Sequence, residues 1–110
     1  MEHRKNPRVK VSIIVDWSEA PSCIYSGRIT SLSVRGCFIQ TDREVIKGGP
    51  VFIRFMVAPE SQKVLTGVIY GRVLYHFEKV GLGVEFKRLR NEDERDLQDL
   101  INFYRSSNDV

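Results

Sequence analysis

Histidine and cysteine are scarce in this chain, two of each among 110 residues. His3 and His76 lie far apart, and neither belongs to a cluster of His, Cys, Asp or Glu at metal-ligand spacing, so no metal is expected. Cys23 and Cys37 lack metal or redox spacing as well, and are expected to be reduced and half-buried. No nucleophile elbow is present: Ser33 sits in Ser-x-x-Gly with no base beside it. Gly81-Leu82-Gly83 looks faintly like a phosphate loop, but it lies inside a strand pattern with no helix directly after it and reads as packing. These absences argue against an enzyme. No apolar run approaches the length of a membrane span, and Met1-Glu2-His3-Arg4-Lys5 leads into no hydrophobic signal segment. A cytoplasmic location is therefore expected. The net charge of +3 is too small for a protein that wraps nucleic acid.

The charge that is present is concentrated. Residues 1–10 carry Arg4, Lys5, Arg8 and Lys10 against Glu2, an excess equal to that of the whole chain. Such a segment is either a solvated tail or an anion clamp. Pro7 holds Asn6 extended, so the arm enters the following strand stretched, and side chains four apart on it face one side.

Beyond the arm the pattern is that of strands. Val9, Val11, Ile13, Val15 and Trp17 alternate with polar residues, Ile14 alone being out of phase. Glu19–Ser22 reads as a turn, Cys23, Tyr25 and Ile29 as a second strand, and Gly27 as a bulge or close approach. Cys37-Phe38-Ile39 resumes after a polar break, and Lys47-Gly48-Gly49-Pro50 is a turn. Val51, Ile53, Phe55 and Val57 alternate again, with a hairpin-length connection over 58–62. Val64 to Phe77 is a long β-prone stretch whose Gly67 and Gly71 allow coiling. Glu78-Lys79 turns the chain, and Leu82, Val84 and Phe86 face inward with Gly81, Gly83 and Glu85 opposite. Six strands with short connections predict an antiparallel barrel or sandwich. Asn91 with Glu94 resembles a capping box, and Leu97, Leu100, Ile101 and Tyr104 share one face of a closing helix. The expected organisation is one domain over 1–110: a basic arm over 1–8, the β-barrel over 9–86 and the helix over 91–106, with fraying beyond.

Two short signals stand on either side of the first apolar run. Arg4-Lys5-Asn6-Pro7-Arg8 precedes it, and Ser31-Leu32-Ser33-Val34-Arg35-Gly36 follows Arg8 by about two dozen residues. An arginine fork grips phosphate or the O6/N7 edge of guanine bidentately, which a lysine does not. Alternation puts Ser31 and Ser33 on one face with Leu32 inward, and a glycine permits close backbone approach.

Arg4-x-x-x-Arg8 followed by Ser31-x-Ser33-x-x-Gly36 resembles the pattern of the PilZ family, bacterial receptor domains for cyclic di-GMP. Cys37 fills the place of the small residue that usually follows, and Gly81-Leu82-Gly83-Val84-Glu85-Phe86 looks like the family's closing strand. The resemblance implies a six-stranded antiparallel β-barrel with a C-terminal helix and no catalysis. It implies cyclic di-GMP as ligand, held by Arg4, Arg8, Ser31, Ser33 and Gly36, with Lys5 and Arg35 as further candidates. It also implies action in trans on an unidentified effector protein, in motility, pilus or exopolysaccharide control. Where the family has Asp or Asn, this chain has Ser31. A hydroxyl offers guanine at most one of the bonds a carboxylate would accept, a loss of about 1–3 kcal/mol. The alternative is thus a PilZ-like docking module that has lost its ligand. A barrel that stacks single-stranded nucleic acid on Tyr25, Phe38 or Tyr75 is a further reading, weakened by the low charge.

Overall fold

A computed structural model of the chain describes residues 7–55 and 67–108. Arg4, Lys5, His3 and the expected 58–62 connection lie outside these residues. The order is β1 (Val9–Ser18), β2 (Tyr25–Leu32), β3 (Gly36–Gln40), β4 (Pro50–Phe55), β5 (Val68–Phe77), β6 (Gly81–Phe86) and α1 (Asn91–Asn108). The strands close into a barrel in the order β1-β2-β3-β6-β5-β4, with every neighbouring pair antiparallel. The expected six-stranded barrel with a C-terminal helix is what forms.

Alternation explains why. Val9, Val11, Ile13, Val15 and Trp17 of β1 all point into the barrel, while Ile14 is 43% exposed on the other face. Ile29, Ile39, Ile53, Leu82 and Val84 meet them from the other strands. Leu97, Leu100 and Ile101 of α1 are buried in the same cluster, and α1 lies against β1. At about 25 cal/mol per Å² of apolar area, burying each such side chain contributes about 1.5–3 kcal/mol. No helix among the described residues is long and apolar enough to cross a membrane.

Trp17 is wholly buried and meets Tyr25 edge to face at 5.5 Å. Gly27 is what admits it, since a Cβ there would fall 2.9 Å from the indole Nε1. The Gly27 close approach expected from the sequence is therefore made to a core side chain. The Arg43 guanidinium also lies over the Tyr25 ring, 3.5 Å from its centroid. Tyr25 is a packing residue, and this removes it from the candidate stacking positions.

Three local expectations shift. β2 starts at Tyr25, because Cys23 adopts φ +50° and its amide closes the turn by donating to the Ala20 carbonyl. Cys23 and Cys37 are free thiols but buried fully rather than halfway. Burial pushes both thiols up from their ordinary pKa, which keeps them protonated. The helix starts at Asn91 as expected, but its capping residue lies one position earlier. Asp93, rather than Glu94, reaches back to the Arg90 amide at 3.3 Å and grips the Arg90 guanidinium at 3.1 Å. Arg90 thus stands at the cap, and the guanidinium holds the Asp93 carboxyl below the usual carboxylate range.

Candidate ligand-binding site

Arg8, the described end of the first sequence signal, meets the second at one end of the barrel. β1 and β2 pair with Val9 opposite Leu32 and Lys10 opposite Ser31. The residue just before β1, Arg8, therefore lies beside the end of β2. Its Nη1 is 3.5 Å from the Ser31 hydroxyl, a long contact between exposed groups 23 residues apart. Irregular register in both strands places Ser31 here. β1 shifts between Lys10 and Ile13, and β2 shifts between Ile29 and Ser31. The extra residue turns Ser31 outward while Leu32 returns to the core.

Ser33 behaves differently from Ser31. It is 2% exposed, and its hydroxyl accepts from the amides of Arg35 at 3.1 Å and Gly36 at 3.3 Å. Its own amide donates to the Gly36 carbonyl at 2.9 Å. Ser33 is thus the internal brace of the turn from β2 to β3, and the two serines do not share an outer face. Gly36 also faces inward upon the protein. A Cβ there would sit 2.1 Å from the Val84 carbonyl oxygen. The close approach that needs this glycine is made by β6. Arg35 lines a recess of about 510 Å³ with Lys87, Arg88, Glu85 and Glu94, where Lys87 already pairs with Glu85 at 2.7 Å.

The structure adds groups that the motifs did not name. Across the outside of the barrel, pairing sets Lys10, Ser31, Phe38, Gly83 and Tyr75 in one row. Gly81 and Gly83, expected on the face of β6 opposite Leu82 and Val84 and read as packing positions, are covered by rings. A Cβ on Gly83 would lie 2.3 Å from the Tyr75 ring, and one on Gly81 would lie 2.6 Å from the Phe38 ring. Phe77 completes a three-ring cluster, 5.1 Å from Tyr75 and 6.4 Å from Phe38. The signal was in the sequence: two glycines alternating with Leu82 and Val84 leave an outer face empty, and aromatics on flanking strands fill it. Arg28, one row further along β2, donates to Ser12 on β1. Among the described residues no group of three His, Cys, Asp or Glu side chains could hold a metal ion.

Exposed arginine beside a serine at a turn, next to a shelf of aromatic rings, is an arrangement for binding an anion that carries flat groups. A family model for the PilZ domain matches residues 2–103, and the chain belongs to the PilZ family. PilZ domains are binding modules rather than enzymes. Among solved structures, the inhibitor of motility MotI/DgrA from Bacillus subtilis superposes with a TM-score of 0.80 at 15% identity, over 100% of this chain and 54% of that one. The PilZ domain of Escherichia coli YcgR with c-di-GMP gives 0.74 at 14% identity, over 97% and 95%. The K. pneumonia MrkH complex with c-di-GMP gives 0.72 at 14% identity, over 99% and 55%. The chain thus spans about half the length of MotI/DgrA and of MrkH. At these identities the neighbours establish the fold. No curated protein matches the sequence.

Proposed function

We propose that this chain is a cyclic di-GMP receptor that closes its basic N-terminal arm on the ligand and signals to a partner protein in trans. The observation that carries the reading is the Arg8 guanidinium lying 3.5 Å from the Ser31 hydroxyl, one residue from each motif side by side. Membership of the PilZ family and the c-di-GMP held by two structural neighbours support it. Arg8 and Arg4 supply the forks for phosphate and guanine, and Lys5 adds charge beside them. Ser31 contributes one short hydrogen bond. Ser33 and Gly36 serve the ligand by fixing the turn, and Arg35 extends the positive surface on its far side. The arm, once held, presents a surface that the partner recognises.

Charge-assisted hydrogen bonds of this kind contribute about 1.5–3 kcal/mol each, and micromolar binding requires about 8 kcal/mol. Titration calorimetry of cyclic di-GMP into the wild-type protein and into Arg8→Ala tests the reading. Micromolar binding that weakens about 10- to 100-fold in Arg8→Ala is the expected result. A folded wild-type protein that gives no heat refutes it. That outcome would favour the second reading, a docking module without a ligand, for which Ser31 in place of the family's Asp or Asn is the specific ground.

A further inference from the structure

We propose that the end of the barrel opposite Arg8 carries a docking groove for the effector protein, which takes a segment with an aliphatic side chain flanked by lysine or arginine. The inference rests on the in-trans part of the reading above, and it holds whether or not the chain binds cyclic di-GMP.

Arg8 precedes β1 and Ser18 ends it, so Glu19 stands at the far end of the barrel from the Arg8–Ser31 contact. The start of β4 lies there as well, with Phe52 opposite Ser18. At this end Glu19, Glu44, Val45, Ile46, Pro50 and Val73 line a groove of about 420 Å³. Val45 packs back on the core, whereas Ile46 is 82% exposed.

The wall that carries Ile46 is braced. The Gly49 amide donates to the Ile46 carbonyl at 2.9 Å, and Gly48 takes φ +84°, as the third residue of a type II turn must. The Gly48 amide donates to the Val73 carbonyl at 2.8 Å, and the Val73 amide donates to the Gly49 carbonyl at 3.0 Å. Arg72 adds a bond from its Nη1 to the Gly48 carbonyl at 2.9 Å. An aliphatic side chain is thus held out in water on a fixed backbone, and little ordering is left to oppose binding. Other apolar groups share this end. Ile24, next to the Tyr25 that pairs with Trp17, is 69% exposed, and Val80, whose carbonyl accepts the Thr41 amide, is 52% exposed. Clustered exposed apolar groups mark interaction surfaces, whereas scattered ones are ordinary.

Charge selects the occupant. The charged side chains that line the groove are both acids, Glu19 and Glu44, in a chain whose net charge is +3. Lys47 and Arg72 belong to the same turn region but do not line it. Among the described residues neither glutamate is in an ion pair. Two carboxylates repel a nucleotide, a nucleic acid or an anionic membrane, and they attract a cationic protein segment. A second copy of this chain would need about 1,200 Å² of buried surface for a stable pair, more than one such groove supplies.

The test titrates the full chain with two peptides, acetyl-GKLIKG-amide and acetyl-GELIEG-amide, and follows its backbone amides by NMR. The lysine-flanked peptide should shift the Ile46, Gly49 and Val73 amides with a dissociation constant on the order of 1 mM. At low salt it should bind at least about fivefold more tightly than the glutamate-flanked one. Ile46→Glu, a change at an exposed side chain, should abolish the shifts, and Glu19→Lys combined with Glu44→Lys should reverse the preference. Shifts that are absent from these amides, or that persist in Ile46→Glu, would overturn the assignment. Sedimentation supplies the other arm: a wild-type dimer that Ile46→Glu returns to monomer would give the groove to a second copy and overturn the effector assignment. Both titrations are run with and without cyclic di-GMP. Failure of the receptor reading shows as no heat in calorimetry and leaves the groove shifts in place, so the two failures are distinct.

Discussion

Gly36→Ala should damage the fold before it damages any binding. The methyl group would arrive 2.1 Å from the Val84 carbonyl oxygen, where a carbon–oxygen contact needs about 3.2 Å. The obstacle is backbone in a paired strand, so no side-chain rotation relieves it. β3 or β6 must move by about 1 Å, against a ladder that holds Gly36 opposite Glu85 and Cys37 opposite Val84. Overpacking of a core costs about 1–3 kcal/mol, and a clash with backbone belongs at the upper end, about 3 kcal/mol. With a urea dependence of about 1.5 kcal/mol/M, the unfolding midpoint should fall by about 2 M. Trp17 fluorescence is a suitable signal, because the indole passes from full burial to water on unfolding. An unchanged midpoint would refute the argument that Gly36 is required by β6. Loss of ligand binding at unchanged stability would return the residue to the ligand-contact role that the motif alone implies.

Ser33→Ala removes the acceptor shared by the Arg35 and Gly36 amides and should lower stability by about 1–2 kcal/mol, read as a fall of about 5–10 °C in Tm. An unaltered Tm would show that the turn does not depend on this brace. Asp93→Asn should lower stability near neutral pH and have no effect in strong acid. The Asp93 carboxyl is held below its ordinary range by the hydrogen bond from Arg90, so its contribution is complete above about pH 4 and is lost as pH falls through the folded-state value. Urea curves at about pH 7 and about pH 2.5 would show the gap between wild type and variant closing in acid, and a gap of constant size would refute the assignment. Hydrogen exchange over residues 1–10 should slow when cyclic di-GMP is added. Unchanged exchange at saturating, calorimetrically verified ligand would eliminate closure of the arm.

Much of this arrangement was readable from the order of residues, and the parts that were not have physical causes. The β1 alternation and the Leu97–Leu100–Ile101 spacing predicted their faces correctly because one side of each element meets the core and the other meets water. The outer face of β6 escaped the same logic, since alternation identifies which side a glycine lies on but not which ring from another strand covers it. The two serines look equivalent in sequence. Only the bulge in β2 and the turn bonds separate the outward Ser31 from the buried Ser33. The helix cap, though not its start at Asn91, shifted by one residue because the Arg90 guanidinium chooses Asp93 as its partner, and periodicity carries no information about that choice. The motif pair was legible as spacing, whereas its meeting in space depends on β1 and β2 being neighbours in this register.

Closure of the barrel restricts how a partner can recognise this protein. Among the described residues each strand has a neighbour on both sides, although β1 meets β4 only over Val15–Ser18. Along the stretches paired on both sides, a partner cannot gain affinity by adding a strand of its own, the sequence-tolerant route open to proteins with a free sheet margin. Recognition must proceed through outward side chains and turns. Substitutions there can redirect the protein to a different partner without disturbing a single ladder hydrogen bond. The scaffold and the specificity are thereby separable: the outer residues of β2, β3 and β5 meet what is recognised, while the inner ones hold the fold.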